Sequence, residues 1–356
     1  MSIQSVAEWI TDQNTCFLIG AGCSLCAEKP SIDSLTKIVA KTLPQPLLEL
    51  LADLKGSSGR PANIEDLINY LLRMQQLADS RKTPFEKNNW NIESIDGELL
   101  NIQRAVIEAV GLDWKPSPHH QHFLLRLMSS RPHKPIDVFS LNYDTVLEAS
   151  LETLKIQYTD GFIGSENAYF EPTVFKQVPE NKPFFRIYKL HGSVNWIRDD
   201  DDTIRRRPGY SLGDTPRAVV YPAEQKYQQT QYGVYEILMR HFRDRMRDID
   251  RNNKLVVLGY SFRDDHINVA IEDSIRAVGS NLTVHAFVGP EDDTDVQKSR
   301  FETIANRCDH RLNFYIGDKH RVGPSLEESG WKEIAAKNLW KFENLVELLT
   351  GAGNDK

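Results

Sequence analysis

The sequence predicts an α/β fold built on a parallel sheet, and three observations carry that prediction. Apolar runs of strand length recur along the chain: Cys16–Ile19, Ile136–Phe139, Phe184–Leu190, Leu255–Leu258, Val284–Val288 and Leu312–Ile316. Most are followed by a helical pattern, as in βαβ units. Several end in glycine or a small polar residue, at the strand ends where open parallel sheets place their ligands.

The bulk properties agree. A chain of 356 residues is long enough for one large domain with an insertion, or for two domains. Hydrophobic content of 40% and charged content of 26% suit a soluble globular protein. The net charge of −7 argues against broad binding to nucleic acid or to an anionic membrane. No stretch approaches the roughly 20 apolar residues of a membrane span, and the polar N-terminal segment with Glu8 and Asp12 does not read as a signal peptide. A cytoplasmic location is expected. Cys23-x-x-Cys26 has redox or zinc spacing, but no second pair follows, so reduced thiols are expected instead of a four-thiolate zinc site.

Residues 1–14 read as a short helix with Val6, Trp9 and Ile10 on one face, leading into the strand Cys16–Ile19. The turn Gly20-Ala21-Gly22-Cys23-Ser24 follows. Glycines let the backbone turn sharply and admit a pyrophosphate, and amides at the next helix start would face the anion. A helix opens at Pro30–Leu35, and from about 47 to 130 the pattern is helical. Asn63 is a natural N-cap there, with Asp66 three residues on. Leu67, Ile68, Leu71 and, further on, Ile102, Val106 and Ile107 form stripes at helical spacing. Residues 44–115 therefore read as a helical insertion whose apolar stripes are core, with polar breaks at Lys55–Arg60 and Lys82–Asn91. His119, His120 and His122 mark a helix start after Pro116 and Pro118, with His122, Leu125 and Leu127 expected partly buried against the sheet.

The strand at Ile136–Phe139 ends in Ser140-Leu141-Asn142-Tyr143-Asp144. Asn142 and Asp144 are placed to face one crevice, and a helix cap explains only one of the two. Residues 156–186 read as loops and a hairpin. The strand Phe184–Leu190 runs directly into His191-Gly192-Ser193, where a histidine with a near-neutral pKa suits a general base. Asp199–Asp202 reads as a solvated turn, and Arg205-Arg206-Arg207 as a place to meet a phosphate or a partner. A helix spans roughly Tyr232–Asp248. The strand Leu255–Leu258 ends in Gly259-Tyr260-Ser261-Phe262, a helix starts at Asp264, and Val284–Val288 closes at Gly289. Gly259, Ser261 and Gly289 are a second set of phosphate or ribose contacts. The strand Leu312–Ile316 and a helix around Trp331–Leu349 complete the chain.

Together these residues resemble the sirtuin family. Gly20-Ala21-Gly22-Cys23-Ser24 with Pro30 resembles the family's opening motif. Pro118, His122 and Leu125 resemble the helix before its catalytic strand. Ser140-Leu141-Asn142-Tyr143-Asp144 is similar to Thr-Gln-Asn-Ile-Asp, Leu190-His191-Gly192 to Leu-His-Gly, and Gly259-Tyr260-Ser261 to the late Gly-Thr-Ser. The variants His191 to Trp196 and Gly259 to Asn268 look more like the bacterial SIR2-like branch of anti-phage defence than like protein deacetylases.

The resemblance implies a Rossmann-like, sirtuin-like domain over residues 1–320, with the 44–115 and 156–186 insertions, followed by a C-terminal helix and tail at 321–356. It implies NAD+ as substrate, with the pyrophosphate at Gly20, Ala21, Gly22 and Ser24 and the adenosine side at Gly259, Ser261 and Gly289. Asp144 would hold the nicotinamide carboxamide, Asn142 the ribose or a water, and His191 would be the general base. Deacetylating sirtuins carry four zinc cysteines after the His-Gly motif. Here no cysteine lies between Cys26 and Cys308, so no zinc is expected, and NAD+ hydrolysis is favoured over lysine deacylation. A sensor that binds NAD+ or ADP-ribose without turnover, and a zinc-free deacylase, stay open as alternatives. Regulation is expected through a homo-oligomer, a HerA-like ATPase or a phage-sensing partner.

Overall fold

The computed structural model describes residues 3–56, 60–81, 92–111, 114–131, 133–179, 182–199, 203–207, 217–219, 233–248, 253–291, 294–308, 311–318, 320–323, 332 and 335–351. In chain order it begins with α1 (Ile3–Thr11), β1 (Thr15–Ile19), a 3-10 helix (Ala21–Ala27), α2 (Ile32–Ala40), α3 (Gln45–Asp53), α4 (Ile64–Arg81), α5 (Ile92–Val110) and α6 (Pro118–Ser130). Next come β2 (Pro135–Ser140), α7 (Val146–Thr153), β3 (Tyr158–Thr159), β4 (Phe162–Ile163), β5 (Ala168–Phe170), β6 (Phe184–Lys189), β7 (Gly192–Arg198), β8 (Ile204–Arg206) and β9 (Arg217–Val219). The last third holds α8 (Val234–Met246), β10 (Lys254–Leu258), α9 (Asp265–Arg276), β11 (Thr283–Val288), α10 (Thr294–Arg307), β12 (Leu312–Ile316), β13 (His320–Val322) and α11 (Phe342–Thr350).

Eight strands form one sheet in the order β13-β12-β11-β10-β1-β2-β6-β3, parallel except for β13. The chain leaves β1 toward β2 on one side and later returns to β10 on the other, so the order reverses at β1. Such a reversal opens a crevice at the carboxyl ends of the strands. The strands are apolar on both faces because helices cover both. On one face Leu238, Phe242, Ile271 and Phe301 from α8, α9 and α10 pack on the sheet. On the other, Val6, Ile10, Phe123, Leu147, Phe342 and Leu345 from α1, α6, α7 and α11 do so. The insertion carries a third core, with Leu35, Val39, Leu67, Ile68, Leu71, Ile102 and Val106 from α2, α4 and α5. Its apolar stripes are core, as their spacing predicts.

The structure departs from the sequence reading in several places. Residues 192–198 form a strand, β7. The chain reverses through Gly192 at φ +82°, and β7 then buries Val194, Trp196 and Ile197 at the centre of a second sheet ordered β4-β5-β8-β7-β9. The hairpin expected in 156–186 belongs to that sheet, whereas β3 joins the main sheet beside β6. The Arg205–Arg207 triplet is occupied by internal ion pairs: Arg205 and Arg207 with Asp199 at 2.5 and 3.2 Å, Arg206 with Asp160 at 2.9 Å. These pairs brace the second sheet. Asp200–Asp202 and Lys82–Asn91 lie outside the described residues.

On α6 the helical phase differs from the expectation. His120, Phe123, Leu124 and Leu127 face inward, while His122 and Leu125 are exposed. Pro118 takes the first helical position, where its missing N–H costs nothing, and that sets the phase. His120 packs on Phe342 at 4.7 Å between ring centroids, and burial pushes its pKa down to about 4, so it is a neutral core histidine. At the C-terminal end the helix expected around Trp331–Leu349 is broken: Lys332, Ala335 and Ala336 are helical, a turn follows at 337–340 and α11 comes after it, while 331 and 333–334 lie outside the described residues.

Candidate active site

A cavity of about 350 Å³ lies over the carboxyl ends of β1, β2, β6 and β10, at the reversal of strand order. Gly20, Ala21, Leu141, His191, Gly259, Tyr260, Ser261 and Asp264 line it from the strand ends. Asn63, Glu65, Asp66, Asn69, Tyr70 and Arg73 line it from α4 and the residue before it.

The floor is made by two interlocked turns. Gly20 N donates to Leu258 O at 2.8 Å and Gly22 N to Gly259 O at 2.9 Å. A Cβ on Gly20 would come within 2.5 Å of Gly259 O, and one on Gly22 within 2.7 Å of Gly259 Cα. Gly259 itself has φ +63°. All three glycines are thus demanded by the close approach of two backbones. Gly20 and Gly22 have this packing reason beside the expected approach of a pyrophosphate.

Ser24 is buried just behind this turn, and its Oγ accepts from Asn142 Nδ2 at 2.9 Å. Asn142 Oδ1 is buried and has no partner among the described residues. Leaving such an acceptor unmatched costs about 1–3 kcal/mol, which marks it as a group set for a ligand or water. Thr145 is the N-cap of α7, and Asp144, one residue before it, accepts from Val146 N on Oδ1 at 3.1 Å. That bond uses one oxygen of Asp144, whereas Asn142 Oδ1 has none among the described residues. Beneath this loop, buried Lys189 donates to Asp144 O and pairs with Glu148 at 3.3 Å. Ser193 Oγ and Val194 N both donate to Tyr143 O, at 3.2 and 2.9 Å, so the Asn142–Asp144 loop is held on both sides.

His191 sits at the turn between β6 and β7, with Nε2 2.9 Å from Asp264 Oδ2. The other oxygen of Asp264 caps α9, accepting from His266 N at 2.9 Å. One carboxylate thus fixes both a helix start and the imidazole. Burial pulls the His191 pKa down, but the hydrogen bond and charge of Asp264, with the charge of Glu65, outweigh it and hold the pKa above the usual value. Burial opposes ionisation of Asp264 as well, and His191 still keeps that carboxyl below its ordinary value. With Nε2 facing Asp264, no described residue hydrogen-bonds Nδ1, the geometry of an oriented base.

Residues 137–309 match the family model of the SIR2-like domain. The chain carries a SIR2-like domain. No curated protein matches the chain. Members of this family are NAD-dependent enzymes, and the SIR2-like domain implies use of NAD+. Its matched span contains Asn142, Asp144, His191, Ser261 and Gly289, starts inside β2 and ends just past α10. Strand β1, paired with both β2 and β10, brings the Gly20–Ser24 turn to the same place from outside the matched span.

Of the candidate residues in the SIR2-like domain, His191, Gly259 and Ser261 line the cavity, with Gly20 and Ala21 from β1's turn. Gly22, Ser24, Asn142 and Asp144 stand behind that lining. Gly289, at the end of β11, packs against Trp340, where a Cβ would meet the indole at 3.1 Å, and it is not among the lining residues. The sequence reading did not assign site roles to Asp264, Glu65, Asn69 or Arg73. Asp264 was legible as a helix start. The α4 residues gave no signal, because their polar face reads like any solvated helix face. Among the described residues, no group of three or more His, Cys, Asp or Glu is arranged to hold a metal, and no helix is long and apolar enough to cross a membrane.

Proposed function

We propose that this protein hydrolyses NAD+ at the nicotinamide–ribose bond, giving nicotinamide and ADP-ribose. The observation that carries the reading is the oriented His191–Asp264 pair at the strand-end cavity, one strand from the unpartnered Asn142 Oδ1. The residues present suit a dinucleotide: a cavity of about 350 Å³ at a strand-order reversal, with the Gly20–Ala21 backbone on its floor. The cysteine pattern favours hydrolysis over deacylation, because β7, β8 and α8 occupy the chain after His191 and no cysteine falls there.

The chemistry follows from these groups. The C1′–N bond of NAD+ breaks, and its electron pair neutralises the pyridinium nitrogen of departing nicotinamide. Positive charge grows on the ribose, as in other glycosidic cleavages. Water adds to C1′ and gives its proton to the neutral form of His191. Asn142 positions the ribose or this water through Oδ1. Asp144, whose Oδ2 has no hydrogen bond to a described residue, holds the carboxamide. Ser261 meets the remainder of the dinucleotide at the cavity wall. We further propose that this activity depletes NAD+ as a defence effector, restrained by a homo-oligomer or by a partner such as a HerA-like ATPase.

Incubating the purified protein with NAD+ and resolving the products tests the reading. Nicotinamide with ADP-ribose, formed without any peptide, is the expected result. Turnover strictly dependent on an acyl-peptide would make the protein a deacylase, and tight binding without products would make it a sensor.

A further inference from the structure

Glu65 reaches the site from outside the strand-end motifs. It lies in the first turn of α4, lines the cavity, and accepts the hydroxyl of Tyr143 on Oε1 at 2.8 Å. Tyr143 stands between Asn142 and Asp144, so this bond fixes the carboxylate relative to the loop that carries both. No described residue hydrogen-bonds Oε2, and no described Lys or Arg forms an ion pair with Glu65. The nearby Arg60 is bound instead to Asp66, at 2.7 Å.

The start of α4 is built to carry this charge. Asn63 Oδ1 accepts from Glu65 N and Asp66 N at 2.9 and 3.1 Å, and Asp66 Oδ2 accepts from Asn63 N at 2.8 Å. An anion at a helix N-terminus is favoured by the aligned peptide dipoles. Burial nevertheless pushes the Glu65 carboxyl pKa up, with His191 as the first charge opposing that rise. When His191 is neutral, as the working base is, an enclosed carboxylate with no Lys or Arg ion pair among the described residues is stabilised most by a cation that enters the cavity. Along the same helix, the lining runs through Asn69 to Arg73, eight residues on, or about 12 Å along the axis. Along this helix the lining thus carries carboxylates at its start and a guanidinium about two turns further on.

We propose that Glu65 is a catalytic residue of the hydrolysis, a fixed carboxylate facing the positive charge that develops on the ribose as nicotinamide leaves. The inference rests on the NAD+ hydrolase reading. Electrostatic groups of this kind act by being in place before the charge appears. Glu65 stabilises the ribosyl cation, while His191 takes the proton of the attacking water. The groups facing His191 are Glu65 from α4, Asp264 with His266 beside it at the start of α9, and Tyr143 from the loop after β2.

Glu65→Gln tests the role, because the amide keeps the size and can still accept from Tyr143. The expected result is a fall in kcat on the order of 10²-fold with little change in KM, the mark of an interaction made in the transition state. The His191 ring-proton titration followed by NMR, which does not depend on turnover, should shift to lower pH in the same variant. Glu65→Asp keeps the charge and should retain most of kcat and of the wild-type titration. Wild-type turnover with E65Q within twofold of it, or an E65D loss equal to that of E65Q, would overturn the role of Glu65 alone. Wild-type protein that leaves NAD+ intact would overturn the hydrolase reading itself.

Discussion

The strand-end wall and the helical wall of the cavity meet where Tyr143 touches Glu65, yet they are held by different forces. The strand-end wall is set by backbone: Gly20, Gly22 and Gly259 interlock, and each strand end continues the ladder of its neighbour through Gly20 N, Leu141 N and Leu190 N. The helical wall is set by side chains, an apolar core below α4 and an Asn63–Asp66 cap at its start. The first places the backbone of His191 and Asn142, whose side chains are then held by Asp264 and Ser24. The second fixes a helix whose outward face is open to any chemistry. Precision therefore resides at the strand ends, and charge is supplied by the insertion.

Removing His191 is the strongest way to break this comparison. If the strand-end wall holds the chemistry, His191→Ala should lower NAD+ turnover by about 10²–10⁴-fold, the usual worth of a general base. Circular dichroism should stay close to wild type, while the melting temperature should fall, because buried Asp264 loses the partner that keeps it ionised. Retained turnover would move the base elsewhere, most directly to the helical wall.

Asp264→Asn sharpens the same point with a smaller effect and a definite direction. Asp264 raises the His191 pKa through its hydrogen bond and its charge. The working base is the neutral imidazole, so wild-type turnover should rise with pH through that raised pKa. Without the carboxylate the pKa falls, and the acid limb of the kcat/KM profile should move to lower pH. The plateau should drop on the order of tenfold or more, since the amide no longer fixes the tautomer. An acid limb that stays in place would mean that another group titrates.

The contrast between the walls also explains what the sequence disclosed. Gly20–Ser24, Asn142, His191 and Gly259–Ser261 were legible because each directly follows a strand, and a strand end has a known place in a parallel sheet. The long helices of the insertion were legible as packing from the spacing of Leu67, Ile68 and Leu71. Glu65 was not, because its role depends on Tyr143, 78 residues away in sequence. Strand β7 was missed for a related reason: Gly192 at φ +82° reads as an ending, and only the pairing with β8 and β9 makes it a beginning. The phase of α6 was misread around His122, since three histidines in four residues carry no apolar contrast.

Asn63→Ala probes the helical wall alone and should have the smallest effect. It removes the acceptor of Glu65 N and Asp66 N and leaves the reciprocal bond from Asn63 N to Asp66. Loss of such a cap costs about 1 kcal/mol, equivalent to a fall of about 1–2 °C in melting temperature for a chain of 356 residues. Because α4 stays anchored by its core and Glu65 keeps its bond to Tyr143, kcat should fall much less than in Glu65→Gln. A scanning-calorimetry melt alongside NAD+ kinetics separates the two quantities. Were the folded Asn63→Ala protein to lose as much turnover as His191→Ala, the helix start would be holding the reacting geometry, and the division between a precise strand-end wall and a charge-bearing helical wall would be wrong.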